Sequence, residues 1–371
     1  MTLEEFLEEW NNDSEQVMVH TSGSTGKPKP MWVEKRRMEA SARITCDFLG
    51  LKEGDTALLC MSLDYIAGKM MVVRSLVRNL KLIVVEPTGH PLAHPKTPLQ
   101  LPRGGEFCSG ACPPPRGSWR GVFAAMVPMQ VYNSLQVPQE RERLKQIKHL
   151  IIGGGAIDEA MASELKDFPN YVWSTYGMTE TLSHIALRRL NGPEASEWYK
   201  PFPSVEISQN DDGCLVIDAP QVCSERLVTN DIVEISEAGF RIIGRKDNVI
   251  CSGGIKIQAE EVERILKPYV HDPFLITKRK DQKFGEIVVM MVEDRGKATG
   301  RRAELGNERR EKRGEREERE SLKTRLQSLC REHLPRYWQP RDFVFVEKLP
   351  MTETGKPARK QAEELATQNY S

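Results

Sequence analysis

The sequence predicts an α/β fold in which a large domain precedes a smaller one. Two apolar runs, 57–61 and 81–85, have the length and continuity of strands buried on both faces of a parallel sheet, and the stretch between them, 66–80, has helical length. Further strand-like runs at 122–128, 150–152 and 171–174 continue the series. Two of these end at turns rich in glycine or hydroxyl groups, where open α/β sheets hold their ligands. A chain of 371 residues is also too long for one ordinary core. The expected organisation is a large α/β domain over 1–243, ending in a β-rich part, and a small α+β domain over 244–371.

Each element has a local reason. Residues 2–10 read as a short helix, with Thr2 as its cap and Glu5 three residues later. A brief strand at 16–20 feeds a glycine-rich loop, and 34–49 shows helical spacing at Met38, Ile44 and Phe48. Between 86 and 119 proline and glycine accumulate, including Cys112-Pro113-Pro114-Pro115, so an exposed loop is expected. From 204 to 243, Asp211-Asp212-Gly213 and Glu237-Ala238-Gly239 punctuate short strands in the manner of a β-meander. After Gly244 come a strand at 255–257, a helix at 259–266 and a strand at 286–292. The run 295–325 is dense in Arg and Glu and reads as a solvated helix or disordered insertion.

Composition excludes several classes of function. The 53 Lys and Arg balance 53 Asp and Glu, which argues against a nucleic-acid protein or one held by membrane electrostatics. No apolar run reaches about 18 residues, and the acidic start lacks the basic region of a signal peptide, so a soluble cytoplasmic protein without membrane insertion is expected. The 8 cysteines lack paired metal spacing; Cys108 and Cys112 come closest, with no second pair, so free thiols are expected.

The chemistry concentrates in His20-Thr21-Ser22-Gly23-Ser24-Thr25-Gly26-Lys27-Pro28-Lys29. Its glycines let backbone N–H groups approach anionic oxygens, its hydroxyls donate, and its lysines supply charge, so the loop suits a polyphosphate. It is not the common P-loop, which has four residues between its glycines and a Ser or Thr after its lysine. Downstream, in order, lie Ser174-Thr175-Tyr176-Gly177-Met178-Thr179-Glu180, Thr229-Asn230-Asp231, Gly244-Arg245-Lys246-Asp247-Asn248 and Leu349-Pro350-Met351-Thr352-Glu353-Thr354-Gly355-Lys356. Together these resemble the signatures of the adenylate-forming superfamily: acyl-CoA synthetases, peptide-synthetase adenylation domains and luciferases. The run from Tyr176 through Thr179, Glu180, Ser183 and His184, with Val127-Pro128-Met129-Gln130, is most similar to o-succinylbenzoate–CoA ligases of menaquinone synthesis.

The resemblance implies ATP, Mg²⁺ and coenzyme A, and a truncated adenylation domain followed by a mobile small domain. Thr21, Ser22, Gly23, Ser24, Thr25, Gly26 and Lys27 would hold the β- and γ-phosphates, Thr179 the α-phosphate, and Glu180 the Mg²⁺. Tyr176 would face adenine, with Gly154 and Gly155 on its other side, while Asp231 would accept from the ribose hydroxyls and Arg245 approach ribose or phosphate. Lys356 would bridge the attacking carboxylate and the α-phosphate as the catalytic lysine. Asp247 matches the hinge about which the small domain rotates, bringing Gly254 and Lys256 to coenzyme A. Taken singly, Glu180, Arg245 and Lys356 would read as ordinary surface charges.

Two departures from the family pattern stand out. The phosphate loop is reached by residue 20, short of the usual N-terminal region, so either a trimmed sheet suffices or a second copy or partner chain covers that face. Where relatives often read Pro-Leu-Phe-His-x-x-Gly, this chain reads Ser62-Leu63-Asp64-Tyr65-Ile66-Ala67-Gly68, with Tyr65 in the histidine's place. Since o-succinylbenzoate keeps a second carboxylate, Lys69, Gln130, Ser183 and His184 are its expected partners, beside Tyr65 as an aromatic gate. Alternatives are a ligase for another aryl or acyl acid, or a non-catalytic nucleotide-binding homologue.

Overall fold

A computed structural model describes residues 1–20, 30–93, 99–101, 122–155, 157, 159–294, 308–352 and 356–368, with backbone alone for 99–100 and 308–318. The expectations for the loop 21–29, most of the proline-rich stretch, residues 295–307 and the turn 353–355 lie outside these residues. Two compact units divide the chain: Met1–Gln209 with Val216–Val228 and Ile235–Arg241, and Asn210–Leu215 with Thr229–Glu234 and Ile242–Ser371.

In the first unit, helix α1 (Leu3–Asn11) starts with the expected cap: Thr2 Oγ1 accepts the Glu5 N–H at 3.2 Å, and the Glu5 carboxylate accepts the Thr2 N–H at 2.7 Å. Strands β1 (Gln16–His20) and β2 (Pro30–Glu34) form an antiparallel pair of their own. Then follow α2 (Lys35–Phe48), β3 (Thr56–Leu59), α3 (Ile66–Arg78), β4 (Lys81–Val84), β5 (Leu99–Gln100) and β6 (Phe123–Met126). Next come α4 (Pro128–Gln136), α5 (Pro138–Gln146), β7 (His149–Ile152), α6 (Glu159–Leu165), β8 (Tyr171–Gly177), β9 (His184–Arg189) and β10 (Lys200–Pro201).

These strands build a sheet of order β10-β9-β8-β7-β6-β3-β4-β5, parallel from β8 to β4 and antiparallel at both ends. Leu58, Ala124, Leu150, Ile152 and Val172 pack beneath Val131, Leu144, Met161 and Leu165 in one fully buried core. Chain order reverses beside β3, with β4 on one flank and β6 on the other. That is the topological switch point at which such sheets hold ligands. Strand β8 extends past the expected 174 to Gly177, so Tyr176 lies on the strand itself.

Strands β11 (Glu206–Gln209), β12 (Cys214–Asp218), β13 (Leu227–Ser236) and β14 (Gly239–Arg245) neighbour one another in sequence order, as a meander does. Asn230 and Asp231 lie inside β13, and Asn230 has no positive φ.

The second unit carries β15 (Val249–Ser252), β16 (Ile255–Gln258), α7 (Ala259–Leu266), β17 (Phe274–Asp281), β18 (Gly285–Glu293), α8 (Glu308–His333), β19 (Asp342–Val346) and α9 (Arg359–Gln368). Its sheet runs β16-β15-β18-β17, and β19 pairs with β18 in parallel. One cluster packs Val262, Leu266, Leu326 and Cys330 against Ile276, Val288 and Met290; another packs Ala362 and Ala366 against Leu275, Val289 and Met291. The charged run thus ends as a docked helix, because Leu326 and Cys330 fall one turn apart on α8. Cys46, Cys60, Cys214, Cys223, Cys251 and Cys330 are free thiols. No described helix is long and apolar enough to cross a membrane.

Candidate active site

The switch point is built by close approach. A Cβ at Gly68 would lie 2.3 Å from the Ser62 carbonyl oxygen, so only glycine lets α3 start against the end of β3. Tyr65, the residue before α3, is 40% exposed and open to a ligand. Gln130 is different. Its amide donates to the carbonyls of Cys60 at 2.9 Å and Thr88 at 3.0 Å, and its oxygen accepts the Val127 N–H at 3.2 Å. Gln130 therefore stitches β3 to β6 and has no donor left for an acid, which corrects the expectation from its sequence.

Lys69 is also corrected. Its ammonium is buried, held by the Glu9 carboxylate at 3.2 Å and the Met18 carbonyl at 2.7 Å, and lies 5.3 Å from the Phe6 ring centre. It fastens α1 and β1 to α3 instead of waiting for a substrate carboxylate.

The turn from β8 to β9 is tight. Thr181 Oγ1 accepts the Met178 N–H at 3.1 Å and donates to the Ser183 carbonyl at 2.7 Å, while Leu182 holds a left-handed φ of 63°. Thr179 is buried in this turn and Glu180 exposed on it. Glu180 makes no ion pair among the described residues, so its carboxylate suits a hard cation that draws its other ligands from phosphate and water. Tyr176 is buried at 7% exposure, its ring perpendicular to Phe240 at 5.1 Å. Gly154, at φ 78°, and Gly155 follow β7, where a Cβ on Gly155 would meet Pro128 at 3.3 Å.

Ser183 and His184 do come together, around a residue that the sequence reading passed over. Arg74, on α3, is 2% exposed and donates to Ser183 Oγ at 2.7 Å and Thr45 Oγ1 at 3.4 Å; its Nε has no partner. No carboxylate pairs with it among the described residues, and burial pulls its pKa down to about 10. Thr45 Oγ1 donates to the Ser41 carbonyl at 3.1 Å, so His184 Nε2, 3.1 Å away, must be the donor to Thr45. His184 Nδ1 then accepts from Ser183 at 3.2 Å, and burial, with Arg74 nearby, holds the ring neutral well below the usual pKa.

In the second unit, the Arg245 guanidinium joins Asp231, at 2.9 Å, to Asp247, at 3.0 Å, and Asn230 donates to Asp247 at 3.2 Å. Lys356 is partly buried: loss of water and the charge of Arg245 lower its pKa, and Asp231 opposes the change. The hairpin between β15 and β16 turns through Gly253 and Gly254, both with positive φ, and a Cβ on Gly254 would meet nothing within 4 Å. Lys256 beside it is exposed.

The sequence model of the AMP-binding enzyme family matches residues 4–220, and that of the AMP-binding enzyme C-terminal domain matches 279–356. The chain belongs to the AMP-binding enzyme family. A 2-succinylbenzoate–CoA ligase of Geobacillus sp. is 26% identical over 396 residues, spanning 98% of this chain and 72% of that protein. Among solved structures, an acyl-CoA synthetase (AMP-forming)/AMP-acid ligase II-like protein of Dyadobacter fermentans is 32% identical with a TM-score of 0.58, covering 96% of this chain and 91% of its own. The o-succinylbenzoate CoA synthetase of Bacillus subtilis, solved with the acyl-adenylate intermediate, is 20% identical with a TM-score of 0.66, covering 93% of this chain and 68% of its own. The expected fold, an adenylate-forming large domain with a small C-terminal one, is the fold of these proteins.

Proposed function

We propose that the acid activated by this AMP-forming acid–CoA ligase is o-succinylbenzoate, the step of menaquinone biosynthesis that yields o-succinylbenzoyl-CoA. Arg74 is the observation that carries this reading. A fully buried guanidinium with no counter-carboxylate among the described residues is costly, and the cost is offset when a substrate carboxylate supplies the missing charge. Its hydrogen-bonded partner Ser183, and His184 bonded in turn to Ser183, follow directly on the turn bearing Thr179 and Glu180.

In the first half-reaction the other carboxylate attacks the α-phosphorus of ATP and pyrophosphate leaves. Lys356 neutralises charge between attacking oxygen and α-phosphate, and Thr179 donates to that phosphate. Mg²⁺ held by Glu180 would offset the charge of the leaving pyrophosphate. By the family resemblance, Thr21 to Lys27 would bind its phosphates, Tyr176 with Gly154 and Gly155 the adenine, and Asp231 and Arg245 the ribose. After a turn about Asp247, Gly254 and Lys256 admit coenzyme A, whose thiolate displaces AMP.

The test is pyrophosphate release and thioester formation by purified protein with ATP, with and without coenzyme A, across o-succinylbenzoate, benzoate and a fatty acid. A marked preference for o-succinylbenzoate is expected. Equal rates with monocarboxylic acids would overturn the assignment of the acid, and no turnover with any acid would overturn the ligase reading.

A further inference from the structure

Short hydrogen bonds hold the chain on either side of Lys356. The Thr352 N–H donates to the Lys356 carbonyl at 2.7 Å, the Lys356 N–H to Thr352 Oγ1 at 3.1 Å, and the Ala358 N–H to the Pro350 carbonyl at 2.9 Å. Before Lys356, Leu349 is tied to β18, its N–H donating to the Glu293 carboxylate at 3.3 Å. A second attachment comes three residues after Lys356. Arg359, the first residue of α9, donates from Nη1 to Glu263 Oε1 at 3.0 Å and from Nη2 to Glu263 Oε2 at 2.8 Å, a two-pronged grip on one carboxylate. Its Nη1 also donates to the Ile276 carbonyl at 2.8 Å, and Glu263 Oε1 accepts the Ile276 N–H at 2.7 Å. One side-chain pair thus fixes the start of α9 to α7 and to the edge of β17.

We infer that Glu263 and Arg359 are positioning residues for adenylation, setting where the Lys356 ammonium stands. The inference rests on the ligase reading only for the role of Lys356. Helix α7 follows directly on the β15–β16 hairpin that carries Gly253, Gly254 and Lys256. The pair therefore ties the lysine turn to the element proposed for coenzyme A, so that both move as one body.

Stability alone would not call for such a pair. Burial pushes the Glu263 carboxyl above its usual range against the pull of Arg359, and buried ion pairs of this kind are commonly replaced by apolar groups without loss of stability. What apolar groups cannot supply is the fixed geometry of the fork, and displacement of a reacting group by about 1 Å costs on the order of a hundredfold in rate.

The experiment compares the wild type with Arg359→Lys and with the double variant Glu263→Met/Arg359→Met. Four quantities are read: unfolding temperature, pyrophosphate release without coenzyme A, thioester formation from preformed acyl-adenylate, and the pH profile of Lys356 amine modification by mass spectrometry. The double variant should unfold near the wild-type temperature, adenylate about a hundredfold more slowly, and keep its thioester-forming step. Its Lys356 profile should move up towards that of an ordinary lysine as the ammonium leaves its desolvated place beside Arg245. Arg359→Lys keeps the charge but not the fork, so it should fold and still lose adenylation. Wild-type adenylation and an unmoved Lys356 profile in either folded variant would overturn the inference. A wild type that releases no pyrophosphate with any acid would instead overturn the ligase reading, and the Lys356 profile would still decide the positioning role.

Discussion

Arg74 donates to Ser183 across 2.7 Å in a buried site where, among the described residues, no carboxylate pairs with it. Replacing Arg74 by Met should lower kcat/KM for o-succinylbenzoate by about ten- to a hundredfold, the worth of one charge-assisted hydrogen bond. Rates with a monocarboxylic acid should be little changed. Because the variant also removes an uncompensated buried charge, its unfolding temperature should hold or rise. A folded variant with an unaltered preference between the two acids would remove Arg74 from the acid site.

Lys356→Ala should abolish pyrophosphate release yet leave thioester formation from preformed acyl-adenylate, since the ammonium is needed only in the first step. In the wild type, the adenylation rate should fall on the alkaline side at a pH below the usual lysine value of 10.5, because the lowered pKa means Lys356 loses its proton early. The thioester step should lack that limb. Half-reactions measured across pH check both statements; equal loss in both steps would contradict the division of labour.

Lys69→Ala tests a correction. Removing the ammonium strips Glu9 and the Met18 carbonyl of their partner, so stability should drop by about 1.5–3 kcal/mol. The Michaelis constant for the acid should not move. Urea denaturation and steady-state kinetics on one preparation separate the outcomes, and a raised constant without lost stability would return Lys69 to the acid site.

Much of the fold was legible because its signals are local. Thr2 and Glu5 announce their helix within four residues, and Ala57 to Met61 and Leu82 to Val85 are apolar throughout because their strands are covered on both faces. The lysine of α3 was misread because its partner, Glu9, lies 60 residues away in sequence. Arg74 carried a signal that was not used, a lone cation after Met70-Met71-Val72-Val73, in a helix whose every side from Gly68 to Ser75 is buried. Asn230 shows the limit of propensity: a residue favoured in turns sits inside β13.

The two buried histidines among the described residues of the first unit, His149 and His184, should make it acid-sensitive, and the sign follows from their pKa shifts. His184 is held well below the usual 6.5 by burial and by Arg74, and burial with Lys148 and Arg189 brings His149 down to about 4. Both are neutral in the folded state near neutrality. Below the usual value of 6.5 the unfolded chain takes up protons that the folded chain refuses, so stability is complete above that pH and falls as acid is added. Each histidine should contribute a loss of about 1.4 kcal/mol per pH unit, and for His149 the loss should level off near its folded value of about 4. Neither ring nitrogen of His149 has a partner, and its ring stacks on Tyr171 at 5.0 Å. His149→Phe should therefore keep the stacking, gain stability and remove about half of the acid slope. Urea denaturation followed by tryptophan fluorescence at about pH 7.5 and about pH 5.5 measures that slope. An unchanged slope in the folded variant would assign the acid sensitivity to groups other than His149.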